Sequence, residues 1–154
     1  MEKKINIKSL KRFQNWMSKW NNPSLGLWDY AAYNSNPDLL LSIISILYPN
    51  TIEYENCIIL EKSFDKENFA SWKKESYTNT QIECVLNHLH IYDLFNNQEE
   101  GEEEHCLENL EYLGKIIIKF WKVALTDKYP NKTFEFVFSN EGNDYGPTIY
   151  FFQK

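Results

Sequence analysis

Glycine and proline are scarce in this chain. Five of each stand among 154 residues, too few for a loop-dominated or disordered polypeptide. Cysteine is scarce too, and odd in number. Cys57, Cys84 and Cys106 lie far apart and form no C-x-x-C pair, which reads as a reduced, cytoplasmic protein. No apolar run approaches the ~18 residues of a membrane span, so no transmembrane helix is predicted. The opening MEKKINIKSLKRF is basic but has no apolar stretch or small-residue cleavage site, so no secretory signal is read from it. Familiar signatures are missing as well: there is no G-x-G-x-x-G, no G-x-x-x-x-G-K-[ST], no G-x-S-x-G and no H-E-x-x-H.

What is present is aromatic and unevenly charged. Ten Phe, ten Tyr and five Trp accompany a hydrophobic fraction of 43%. The length fits one globular domain, 1–154, able to bury a core without staples. Net charge is −6, yet residues 1–20 carry six Lys/Arg against Glu2 alone, which is +5 and leaves −11 for the rest. An acidic body disfavours nucleic acid, whose phosphates need clustered Lys and Arg. It favours a basic protein partner.

Periodicity places the elements. Residues 9–21 set Leu10, Phe13, Met17 and Trp20 on one helical face, with Trp16 beside it and Ser9 as N-cap. The stripe reads as core, and membrane-surface attachment of a basic amphipathic helix is the alternative. NNPSLGLWDYAAYNSNP reads as a long connection. NPDLLLSIISILYPN reads as a buried helix, capped by Asn36, begun by Pro37 and stopped by Pro49. The period changes over about 52–63, where a strand is predicted. Asp65 caps a short helix anchored by Phe69 and Trp72. Thr80-x-x-Glu83 fits a capping box for a helix over 81–90 with Ile82, Val85, Leu86 and Leu89 on its apolar face. The longest helix is expected at about 103–127, with a seam of Leu107, Leu110, Gly114, Ile117, Trp121 and Ala124. Gly114 weakens a helix by ~1 kcal/mol against Ala, so close approach of another element is expected there. Strands at about 133–139 and 148–153 close the chain as a hairpin. The class is α+β: an antiparallel sheet of three or more strands on a long central helix and several shorter ones.

Chemistry concentrates in NHLHIYDLFNNQEEGEEEHC, residues 87–106, which holds all three histidines. His88 and His90 are two apart, so on a strand they share a face and on a helix they diverge. The expected helix makes them diverge, which argues against a metal site with His105. Cys84 and His88, four apart, would share a helical face as a thiol–imidazole dyad requires. A small buried cysteine is the plainer reading. Glu99, Glu100, Glu102, Glu103 and Glu104 are five carboxylates in six positions. A helix N-terminus favours one or two of them. The rest need solvent, a cation or a basic partner, and the EF-hand pattern of a calcium loop is missing.

The sequence therefore points to a non-enzymatic acidic interaction module with no cofactor. The expected contact residues are Glu99, Glu100, Glu102, Glu103 and Glu104, with Asp93 beside them. Immunity proteins that mask basic bacterial toxins share this composition, and charge speeds such encounters. The alternative is a metal- or thiol-dependent hydrolase using His88, His90, His105 or Cys84.

Overall fold

The computed structural model describes residues 6–22, 24–95, 107–140 and 146–154. The chain divides into two compact units, Met1–Ile44 and Ser45–Lys154. In the first, Asn6 caps a 3-10 turn at Ile7–Ser9 by accepting from the Lys8 amide. Helix α1 spans Lys11–Met17 and has no side-chain cap. The expected cap at Ser9 is not made, because its hydroxyl donates to the Asn6 carbonyl instead. Residues 27–34, expected as connection, form helix α2, Leu27–Asn34. The Gly26 amide donates to the Asp29 carboxylate at 2.8 Å and fixes its first turn. Helices this short depend on tertiary packing. Here Phe13 and Trp16 of α1 are buried, and both meet Tyr30 edge-on, with ring centroids 5.6 and 5.5 Å apart. Of the stripe expected as core, Phe13 and the flanking Trp16 are buried against α2, Leu10 and Met17 are half-buried, and Trp20 is exposed.

Helix α3 runs Pro37–Leu47. Asn36 caps it as anticipated, accepting from the Leu39 amide at 2.9 Å. The expected burial fails over its first two turns. Leu39, Leu40, Leu41, Ile43 and Ile44 are 42–64% exposed. They belong to a unit of 44 residues, too small to enclose an apolar helix in addition to its aromatic pair.

The second unit is α+β. One antiparallel sheet has order β3-β5-β4, with β3 Leu89–His90, β4 Phe134–Ser139 and β5 Thr148–Gln153. The other is a hairpin of β1, Thr51–Tyr54, and β2, Cys57–Leu60. The single strand expected over 52–63 is therefore two strands joined at Glu55–Asn56, both with positive φ (46° and 64°). Asparagine tolerates that conformation but glutamate rarely adopts it. The turn is held from outside, since Asn79 donates to the Glu55 carbonyl and Gln153 to the Asn56 carbonyl. Helix α4, Lys66–Lys74, starts on Asp65 as expected, with Phe69 buried.

Helix α6, Leu107–Lys128, packs on the β3-β5-β4 sheet. Leu110, Gly114, Ile117, Trp121, Ala124 and Leu125 form its buried stripe, while Leu107 is exposed. Phe120 and Val123 face solvent, so the helix is covered along one face and not on several sides. The close approach expected at Gly114 is present. A Cβ there would lie 3.1 Å from the Phe138 ring and 3.4 Å from both Ile149 and Ile91. Trp121 lies in the core cluster with Leu60, Leu89, Ile149 and Phe151, and its indole N–H donates to the Ile46 carbonyl at 2.8 Å.

Candidate functional site

Helix α5 spans Asn79–Leu86, shorter than the 81–90 expected. Its capping box is Thr78 with Gln81, not Thr80 with Glu83. Thr78 stands in extended backbone where an N-cap must, whereas Thr80 is already helical. This two-residue shift frees Glu83 for a different task. Glu83 is 1% exposed and Asn87 0% exposed. They lie one turn apart and project between β2 and β5. Glu83 accepts from the Ile58 amide at 2.7 Å and the Gln153 amide at 2.8 Å. Asn87 accepts from the Leu60 amide at 2.8 Å and donates to the carbonyls of Ile58 (2.8 Å) and Phe151 (3.2 Å). Five backbone groups along two strand edges are thus satisfied by two side chains of one helix. The β1–β2 hairpin joins the larger sheet through this bridge. Val85, expected on the buried face, is 44% exposed, because the face is turned toward Glu83 and Asn87. A carboxylate and an amide at core positions carry no hydropathy signal, so sequence reasoning missed them.

Asn87 also ends the helix, and the chain enters the extended pair Leu89–His90. The divergence expected of His88 and His90 is therefore overturned. Their rings meet edge to face, with centroids 5.0 Å apart and planes at 74°. His88 is exposed and its Nδ1 bonds the Val85 carbonyl. His90 is half-buried, with Nδ1 2.8 Å from the Thr148 hydroxyl on β5. His105 lies outside the described residues. Among those described, no group of three or more His, Cys, Asp or Glu is arranged around one metal position.

Among the described residues, the thiols of Cys57 and Cys84 are poorly suited to nucleophilic work. Burial, and then the Glu83 carboxylate, push the Cys84 thiol above its ordinary value. The same two causes push buried Cys57 up to about 11. Activation would need the opposite field, a neighbouring cation or a helix N-terminus.

A cleft of about 300 Å³ opens in the second unit. Ile46, Pro49, Leu60, Leu89, Leu94 and Trp121 form its apolar walls, with Ser45, Asn50, Glu61 and Lys62 supplying polar groups. Of the predicted contact residues, Asp93 is exposed in the 3-10 turn Ile91–Phe95, next to Leu94 of the cleft. Glu99, Glu100, Glu102, Glu103 and Glu104 lie outside the described residues. Charge divides with the units. Residues 1–44 hold six basic and three acidic side chains (+3), and residues 45–154 hold ten and nineteen (−9). No helix among the described residues is long and apolar enough to cross a membrane. No family model, curated protein or solved structure matched the chain.

Proposed function

We propose that this chain is a non-enzymatic interaction module that captures a basic protein partner, in the manner of the immunity proteins that mask toxins. The observation that carries the reading is the concentration of charge: −9 on residues 45–154. A field of that sign steers a basic partner into encounter and repels acidic competitors. Glu99, Glu100, Glu102, Glu103 and Glu104 supply over a quarter of the nineteen carboxylates of that unit. Asp93 precedes Leu94 of the apolar cleft, where a partner's aromatic or long basic side chain would anchor. Interfaces of this kind combine a charged rim with a buried anchor. The raised thiol of Cys84 supports the reading over thiol catalysis.

The test is capture from native lysate by the wild type and by a variant with the five glutamates replaced by Gln. The wild type should retain a basic protein, less of it as salt rises, and the variant should retain much less while folding normally. Capture of no partner, or equal capture by both proteins, refutes the reading. The adjoining imidazoles of His88 and His90 favour metal-assisted hydrolysis as a second reading. A catalytic zinc takes three protein ligands, so this reading predicts stoichiometric zinc in the purified protein and loss of a hydrolytic activity on His88→Ala.

A further inference from the structure

We infer that the free edge of β4 pairs with the β4 edge of a second copy of this chain, antiparallel about a two-fold axis at Phe136, independently of the charge-capture reading. The first support is the direction of the backbone groups. β4 is an outer strand in the order β3-β5-β4. In an antiparallel ladder the N–H and C=O of one residue point to the same side, and successive residues alternate. The Gln153 amide donates to Glu83 and the Phe151 carbonyl accepts from Asn87, so both residues face away from β4. Phe134 and Phe136 lie opposite them in the register, and Phe138 lies opposite Ile149, which pairs with β3. These three phenylalanines therefore aim their N–H and C=O groups outward from the sheet. Among the described residues, no further strand pairs with them.

The second support is that β4 lacks the devices that blunt an edge. Open edges are protected by shortness, proline, bulges or lysine in the strand. β4 has six residues, FEFVFS, without proline or lysine. Its register with β5 runs unbroken from Phe134 to Ser139, so it carries no bulge. Its one charge, Glu135, is held by Lys154 at 2.6 Å.

The third support is self-complementarity, which a two-fold contact requires. Pairing about Phe136 sets Phe134 against the second copy's Phe138 and Phe136 against the second copy's Phe136. Each such pair exchanges two hydrogen bonds, so every outward group of the three residues gains a partner. The phenylalanines of both copies share the face that packs on the core, and aromatic cross-strand pairs are favourable. On the other face Glu135 meets the second copy's Val137. Moving the axis to Val137 would leave Phe134 beyond the end of the opposing strand. Moving it to Glu135 would do the same to Phe138 and would oppose two carboxylates. Lys122 stands over the Phe136 ring at 5.4 Å, so two ammonium groups approach near the axis, and each copy carries −6. Salt screens both repulsions.

The experiment is sedimentation equilibrium of the full chain from micromolar concentration to about 1 mM, the weak end of association, with backbone hydrogen exchange at both ends of that range. The wild type should pass from monomer to dimer, and the amides of Phe134, Phe136 and Phe138 should gain protection as it does. Val137→Lys should dimerise about tenfold more tightly than Val137→Glu, because position 137 meets Glu135 twice in the dimer. Added salt should strengthen the wild-type dimer, whereas it weakens capture of a basic protein. Circular dichroism checks that both variants fold, and if either does not, exchange in the wild type decides alone. The inference is overturned if the chain stays monomeric throughout, which leaves the edge to water or to another protein's strand. A dimer whose three amides exchange as in the monomer overturns it as well, since another face then joins the copies. Equal dimerisation of folded Val137→Glu and Val137→Lys has the same consequence.

Discussion

The bridge between β2 and β5 makes a quantitative prediction through Asn87. Replacing it with alanine strips partners from the Leu60 amide and from the Ile58 and Phe151 carbonyls, at a position with no exposure. A buried amide N–H without a partner costs about 1–3 kcal/mol. Carbonyls keep a second lone pair and tolerate loss better. The sum is about 4 kcal/mol, a large part of the 5–15 kcal/mol typical of a whole domain. Asn87→Asp should be worse still at neutral pH. Its carboxylate would keep the bond from the Leu60 amide but would set oxygen against two carbonyl oxygens and against the neighbouring Glu83. That penalty should ease in acid, because a protonated carboxyl is neutral and can donate. Its folded-state pKa would therefore lie above the ordinary value, and stability should fall as pH rises through it. The assay is urea unfolding followed by circular dichroism, with hydrogen exchange at the Leu60 amide as the local readout. A loss below about 1 kcal/mol for Asn87→Ala, or unchanged protection of the Leu60 amide, would refute the reasoning.

The other predictions test separate contacts. Gly114→Val should cost about 2 kcal/mol, since its branched side chain meets Phe138, Ile149 and Ile91 in a filled core. Gly114→Ala should be nearly neutral, because ~1 kcal/mol of gained helix propensity offsets the crowding. Melting curves separate the two. Trp121→Phe should lose about 1–2 kcal/mol with the bond to the Ile46 carbonyl, and a wild-type midpoint would show that bond to be idle. In the folded protein Cys57 keeps its proton up to about 11, while the unfolded chain releases it near the ordinary 9.0. Stability contributed by Cys57 should be intact below 9 and decline as pH rises from there to about 11. Urea midpoints of the wild type and Cys57→Ala across that window check the sign. Native Cys84 should alkylate more slowly at neutral pH than the same residue in urea, and faster native modification would contradict its raised pKa.

The sequence by itself determined the features whose causes are local. Asn36 and Asp65 cap their helices because each offers a carboxyl or amide oxygen to an amide three residues on. The buried stripe of α6 follows its apolar spacing, and Gly114 announced the close approach by sitting where any other residue would favour helix. The strands Phe134–Ser139 and Thr148–Gln153 follow their β-rich composition. Two such hairpin strands and a long amphipathic helix suffice to define α+β. The misplaced capping box was also local, since Thr78-x-x-Gln81 and Thr80-x-x-Glu83 both satisfy the motif and only one can begin the helix.

Tertiary structure alone decided the rest. The left-handed Glu55–Asn56 turn exists because Asn79 and Gln153 hold its carbonyls. Helix α2 exists because Tyr30 seals Phe13 and Trp16. Glu83 and Asn87 turn inward because two strand edges offer unpaired amides and carbonyls there, and a buried peptide group must find a partner. By stopping α5 at Leu86, that demand leaves the next residues extended and brings His88 and His90 side by side. Periodicity records which side chains prefer oil to water. It does not record which backbone groups, brought together from distant parts of the chain, need a hydrogen bond.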